Sequence, residues 1–334
     1  MPRKSFPLYL FLAGVLLMGG VGWYAYSLRA QPEPVPTATE TPLSPTTTPI
    51  PAIPQPTETA PATVTSAPIP FDGQRAYADV HAQVAFGPRV PGSEGHAKFQ
   101  EWLGAELAEV GWQSEIQESE ALGHPIENIV AKKSDEPPQI ILGAHYDTRI
   151  FADSDPDPAQ QANPVAGAND AASGVAVLLE LARTLPDQTM PIWLVFFDAE
   201  DNGRIQGWEW ILGSREFVKN NPVRPRAVII VDMVGDADLD IYREGYSDPE
   251  LTDEIWAVAQ ELGYGDIFIP EYRHSMIDDH RPFLEAGIPA IDIIDFDYPY
   301  WHTVQDTPDK VSAESLQVVG ETLWTWIMQQ RGQP

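Results

Sequence analysis

The chain has 334 residues, no cysteine, and 49 acidic against 20 basic side chains, for a formal net charge of −29. It carries no basic footprint to hold nucleic acid, and neither a disulfide framework nor a thiolate metal site can be built. A borderline metal would have to be held by His, Asp and Glu, which points to zinc or another divalent ion with nitrogen and oxygen ligands.

The N-terminal run MPRKSFPLYLFLAGVLLMGGVGWYAYSLRA has no charge from Phe6 to Leu28. Arg3 and Lys4 precede the apolar stretch, and Tyr24 and Tyr26 lie near its far end. Residues 1–30 are therefore expected to form a membrane anchor, with a cleaved signal peptide as the alternative. Either reading carries the rest of the chain out of the cytoplasm, tethered by a single N-terminal helix or secreted. Residues 31–70 are dominated by Pro and Thr. That composition builds no core and predicts an extended, disordered linker reaching at most roughly 120 Å, at ~3.1 Å per residue.

Residues 71–334 are expected to form one α/β domain. Helices are predicted over Gly95–Val110, Ala171–Leu185, Pro249–Leu262 and Ser312–Gln330. Between them run the β-branched stretches NIVAKK, QIILGAHYD, PIWLVFFDAE, RAVIIVDMVG and PAIDIID. Strands alternating with helices predict a three-layer sandwich, its central mixed and mostly parallel sheet flanked by helices. Leu316, Val319, Leu323 and Trp326 mark a core-packing stripe on the last helix.

In such sheets ligands bind beyond the carboxyl ends of the strands. IILGA ends in His145-Tyr146-Asp147, WLVFF in Asp198-Ala199-Glu200-Asp201, and VIIV in Asp232. Asp170 lies before a helix, and His302 follows Trp301 near the C-terminus. Taken singly, each has an ordinary structural explanation, such as a helix cap, a solvated strand end or a loop histidine. Together, two histidines and three carboxylates suit a pair of zinc sites sharing one carboxylate, whose positive charge would make the crowded acids favourable. Glu200 would then face the substrate as a general acid–base group, with Asp147 a hydrogen-bonding support for a ligand histidine and Asp198 either structural or a support behind the metal ligands. Trp208 and Trp210 are read either as pocket-lining or as packing aromatics. The run Asp153-Ser154-Asp155-Pro156-Asp157 begins like a calcium loop. Pro158 and Pro164 occupy the positions needing Gly and Glu, so it is read as a solvated acidic loop above the site.

The ordered runs PRVPGSEGH (88–96), GAHYDT (143–148), GANDAASGVAVLLELAR (167–183), FFDAEDNG (196–203), VDMVGD (231–236), DDHRPFLEAGIP (278–289) and WHTVQDTPDKV (301–311) resemble metallopeptidase family twenty-eight. That family holds zinc aminopeptidases and animal-type glutaminyl-peptide cyclotransferases. The resemblance implies His145 and Asp232 at one zinc, Asp201 and His302 at the other, Asp170 between them, and Glu200 as the acid–base group. It also implies zinc, as one or two ions, and peptide or protein N-termini as substrates. Asp201 stands where the family usually has Glu. FFDAED, Asp278 before Asp279-His280, Trp301 before His302, and HYDTRIF lean toward the cyclotransferases. There Asp278 joins the catalytic glutamate's network, Asp279 supports it, and Trp301 walls the pocket. GANDAASG and HTVQDTPDKV look as much like aminopeptidases, which remain the alternative; a non-catalytic binding ectodomain is the third reading.

Overall fold

The computed structural model describes residues 70–187 and 190–331. The expected anchor at 1–30 and linker at 31–70 lie outside the described residues, residue 70 excepted. Among the described residues no helix is long and apolar enough to cross a membrane.

Among the described residues, eight strands and seven α-helices follow in chain order: α1 Gly73–Ala85, α2 Glu94–Glu109, β1 Gln113–Ala121, β2 His124–Lys132, β3 Ile140–His145, α3 Ala172–Thr184, β4 Ile192–Phe197, α4 Leu212–Asn220, β5 Ala227–Asp232, β6 Ile241–Arg243, α5 Pro249–Leu262, β7 Phe268–Tyr272, α6 Arg281–Glu285, β8 Ala290–Ile294 and α7 Ala313–Gln329. Each of the four predicted helices has its counterpart, within one residue at each end. Three of these helices start with ordinary capping chemistry: the Ser93, Asp248 and Ser312 side chains accept from backbone N–H groups of the first turn, whereas α3 begins after Ala171 with no side-chain cap.

The central sheet has six strands in the order β1-β2-β4-β3-β5-β8. β4, β3, β5 and β8 are mutually parallel, while β1 and β2 join antiparallel at one edge. Strand alternation sends Leu142, Ala144, Leu194, Phe196, Ile229 and Val231 into a large core built with α1, α2, α3, α5 and α7. It sends Ile141, Val195, Phe197, Val228 and Ile230 into a smaller core with Phe217 of α4 and Phe283 of α6. Both faces are thus covered, giving the expected three layers. Leu316, Val319, Leu323 and Trp326 are at most 1% exposed on the inner face of α7.

Several elements were not predicted from sequence. β1, QSEIQESEA, is an edge strand with a largely exposed pattern and pairs only with β2, so it lacks the apolar run of a central strand. α1 is recognised by its neighbours rather than its composition: Arg75 pairs at 2.6 Å with Glu180, a fully buried acid of α3. α4, α6 and the parallel pair β6–β7 are short.

Because four central strands run parallel, their carboxyl ends emerge along one edge of the sheet. α3 comes unusually close to that edge, since a Cβ on Gly174 would lie 2.1 Å from the Val231 carbonyl oxygen. Glycine there lets the α3 backbone rest directly on β5, bringing the loop before α3 against the end of β5.

Candidate metal centre

β3 ends in His145 and β5 in Asp232, two strands paired side by side. Asp170 reaches the same point from the loop before α3, and its Oδ1 lies 3.0 Å from His145 Nε2. Asp232 Oδ1 is 3.1 Å from the same nitrogen. On the other side of Asp170, His302 Nε2 is 2.7 Å from Asp201 Oδ1 and 3.8 Å from Asp170 Oδ2. The five side chains therefore form two buried triads, His145–Asp170–Asp232 and Asp170–Asp201–His302, with Asp170 common to both.

The donor set fits two divalent cations. Ligand atoms on zinc bonds of about 2.0–2.2 Å at tetrahedral angles sit roughly 3.3–3.6 Å apart, within the spread of distances here. Asp201 Oδ2 is buried with no hydrogen-bond partner, as a free ligand atom would be. Electrostatics points the same way. Burial pushes Asp201 up to about 6, with the Asp170 charge adding to it, and raises Asp232 as well. Burial opposes charge on His145, but Asp232, Asp147 and Asp170 outweigh it and raise its pKa well above the usual value. Carboxylates that would otherwise have to take up protons to escape their mutual repulsion can stay charged when a metal ion sits among them.

The frame around the cage is rigid. Asp147 sits 3.4 Å from His145 Nδ1, while its oxygens accept from the Glu200 and Asp201 N–H groups and from the Asn202 amide. It thereby anchors the turn that carries Asp201 of the cage and Glu200 beside it. Asp306 does the same for the Asp170 loop, accepting from the Asn169 and Asp170 N–H groups and from the Tyr298 hydroxyl. Arg89, fully buried, donates to the carbonyls of Tyr146, Ala166 and Gly167. Burial lowers its pKa to about 10, which still leaves it charged at neutral pH. Ala199, Met233 and His302 adopt left-handed backbone with φ of +53°, +47° and +57°. For non-glycine residues each costs on the order of 1–2 kcal/mol, and all three lie at or beside the cage.

The family model described as Peptidase family M28 matches residues 128–327. The chain belongs to peptidase family M28. It is 36% identical to the Porphyromonas gingivalis glutaminyl cyclase, whose structure it matches with a TM-score of 0.75 over 79% of this chain and 100% of that one. With a Zn-dependent exopeptidase from Parabacteroides distasonis the identity is 33% and the TM-score 0.73, over 78% of this chain and 99% of that one. A glutaminyl-peptide cyclotransferase-like protein of Bos taurus is 24% identical over 287 residues, 73% of this chain and 72% of its own length. The M28 chain described here is a zinc-dependent enzyme.

The remaining predicted site residues surround the M28 cage. A cavity of about 290 Å³ is lined by Asp170, Glu200, Asp201, Asp232, Asp278 and Trp301, with Phe296, Ile294 and Met276 among its apolar walls. A larger cavity of about 550 Å³ is lined by Asp236, Asp238, Asp240 and Asp295 but by none of the cage residues. Glu200 is 6% exposed; burial raises its pKa well above the usual value, and the charge of Asp278 adds to the shift. Asp278 is itself pushed up to about 7, by burial and then by Asp232. Asp279 is buried beside it, its backbone N–H donating to Asp278 Oδ1 at 2.5 Å. Trp301 stacks on the His302 ring at 3.6 Å and packs edge-on against Phe296 at 5.1 Å.

Asp198 faces away from the cage, accepting from His96 and from the Glu127 N–H. Trp210 lines the cavity and stacks near Arg149, while Trp208 packs on His124 outside it. The acidic loop is more firmly tied than a solvated loop would be. Asp153 accepts two hydrogen bonds from Arg149, and Asp155, 3% exposed, accepts from the Val304 N–H. Arg149 in turn donates to the Asp201 carbonyl, so this loop braces the cage. Sequence reading missed Arg89 and Asp306, both fixed by backbone groups far away in the chain.

Proposed function

We propose that this protein is a glutaminyl-peptide cyclotransferase, converting an N-terminal glutamine into pyroglutamate with release of ammonia. The observation that carries this reading is the buried carboxyl pair Glu200 and Asp278, facing the cage within a small cavity walled by Trp301 and Phe296. At about 290 Å³ the cavity is near the small end of ligand pockets, suited to one terminal residue rather than a length of chain.

Asp170, Asp201 and His302 would hold one zinc, with His145 and Asp232 completing a second position through Asp170. Zinc bound there supplies a Lewis acid that polarises the substrate's side-chain amide carbonyl. Glu200 accepts a proton from the substrate's α-amine as its nitrogen bonds to the amide carbon. The same carboxyl returns a proton to the amide nitrogen as that carbon–nitrogen bond breaks and ammonia leaves. Asp278, raised by burial and lining the same cavity, keeps a proton within the pair. Trp301 and Phe296 limit the entry of water, which would otherwise compete as the nucleophile.

The aminopeptidase reading has one specific support: the ligand set is sufficient for two metals, with Asp170 in both triads. The deciding experiment gives the zinc-loaded protein peptides beginning with Gln, Leu or Ala and follows products by mass spectrometry. Ammonia loss from the Gln peptide alone supports cyclisation. Free N-terminal amino acids from the others would replace it with hydrolysis. The same reading sets the catalytic domain outside the cytoplasm, tethered through the apolar run 6–28. The full chain is expected in the carbonate-resistant membrane fraction, and recovery in the soluble fraction would remove the anchor.

A further inference from the structure

Downstream of Glu200 the chain is held at every residue until it reaches Arg204. Asp147 pins the Glu200 and Asp201 N–H groups, and Asn202 both donates to Asp147 and accepts from the Ile150 N–H. At Gly203 the Trp210 ring lies so close that a Cβ would fall 2.1 Å from its Cδ2. Arg204 then takes a left-handed conformation, φ +64°, which a side-chain-bearing residue adopts at a cost of about 1–2 kcal/mol. Strain kept at such a position points to a use for the side chain.

Arg204 is the only basic residue among those lining the cavity, where five acids also stand: Asp170, Glu200, Asp201, Asp232 and Asp278. Among the described residues its exposed guanidinium makes no hydrogen bond or ion pair, although the chain holds 49 acids against 20 bases. The acidic end of the cavity is where a cationic N-terminal amine is drawn. A free guanidinium at the same cavity offers the opposite preference to whatever follows that amine, and its planar fork matches a carboxylate.

We propose that Arg204 is a specificity-determining residue, favouring peptides with a carboxylate side chain immediately after the N-terminal residue. The proposal rests on the reading of the site as one that acts on peptide N-termini. An exposed pair of this kind supports roughly a two- to fivefold preference, weakened by salt.

The test compares the zinc-loaded full chain with its Arg204→Gln and Arg204→Glu variants. Substrates are Gln-Glu, Gln-Lys, Leu-Glu and Leu-Lys peptides otherwise identical, assayed at low and high salt. Native protein is expected to favour Glu over Lys at the second position in kcat/KM, through KM. Arg204→Gln should erase the preference and Arg204→Glu invert it, with both effects shrinking at high salt. Equal slowing of every peptide by the variants, or an unchanged preference, overturns the proposal. The Glu-to-Lys ratio is read on whichever series turns over, so hydrolysis in place of cyclisation overturns the proposed activity without touching Arg204. If neither series turns over, calorimetric binding of the same peptides gives the ratio, and binding blind to the second residue overturns the assignment.

Discussion

Glu200 is 6% exposed, shares its cavity with four other acids, and is held at its backbone by Asp147. A carboxyl so placed serves proton transfer because its position is fixed and its affinity for a proton is raised. Glu200→Gln keeps shape and hydrogen bonding while removing the base, so turnover should fall about 100- to 10,000-fold. Metal content measured by mass spectrometry should stay at the native level, and near-native turnover would end the assignment. Asp170 belongs to both triads, so Asp170→Ala should strip the protein of both ions rather than one. Full metal content in that variant would show that the cage is held otherwise. His145, Glu200, Asp201 and Asp232 were legible in the sequence because each ends an apolar strand run with a costly polar group. Arg89 and Asp306 were not, because their partners are backbone N–H and carbonyl groups as many as 137 residues away. Composition carries no trace of such pairings.

At the level of elements, α3 and β5 decide whether the two halves of the cage meet. Their contact is so close at Gly174 that an added methyl would run into a backbone oxygen, which cannot rotate aside. Gly174→Ala should therefore push α3 away from β5 and cost about 1–3 kcal/mol as overpacking. The same shift separates Asp170 from Asp232, so zinc affinity should fall together with the melting temperature. A variant that melts and binds zinc like the native protein would mean that the layers yield without disturbing the cage. The buried parallel strands could be read from their continuous apolar runs, since both faces are covered, and α2, α3, α5 and α7 from their helical spacing, whereas α1, as long as α3, escaped. β1 escaped because an edge strand has one neighbour and keeps polar side chains on show. α4 and α6 escaped because nine and five residues are too few for a helical period to stand out.

For the whole molecule, the unusual feature is where the acid sits rather than how much there is. Asp170, Asp201, Asp232, Glu200, Asp278, Asp279 and Asp292 are all at most 6% exposed. Burial holds Asp278 up to about 7 and raises Asp279 and Asp292 well above the usual carboxylate range. Without cations these carboxyls either bind protons or repel one another in a low-dielectric interior, so the metal-free fold carries a standing electrostatic cost. Zinc binds the folded cage and not the unfolded chain to any comparable degree, so it stabilises the fold by mass action. At a free concentration a thousandfold above Kd that amounts to ~4 kcal/mol. With about 2–4 °C of melting temperature per kcal/mol for a large single domain, chelation should lower the midpoint by roughly 10 °C. Differential scanning calorimetry before chelation, after it and after zinc is restored measures this directly. Recovery with zinc separates the effect from irreversible damage. A midpoint indifferent to a verified loss of metal would mean that the buried carboxyls are stable without cations, and the electrostatic case for the cage would fail.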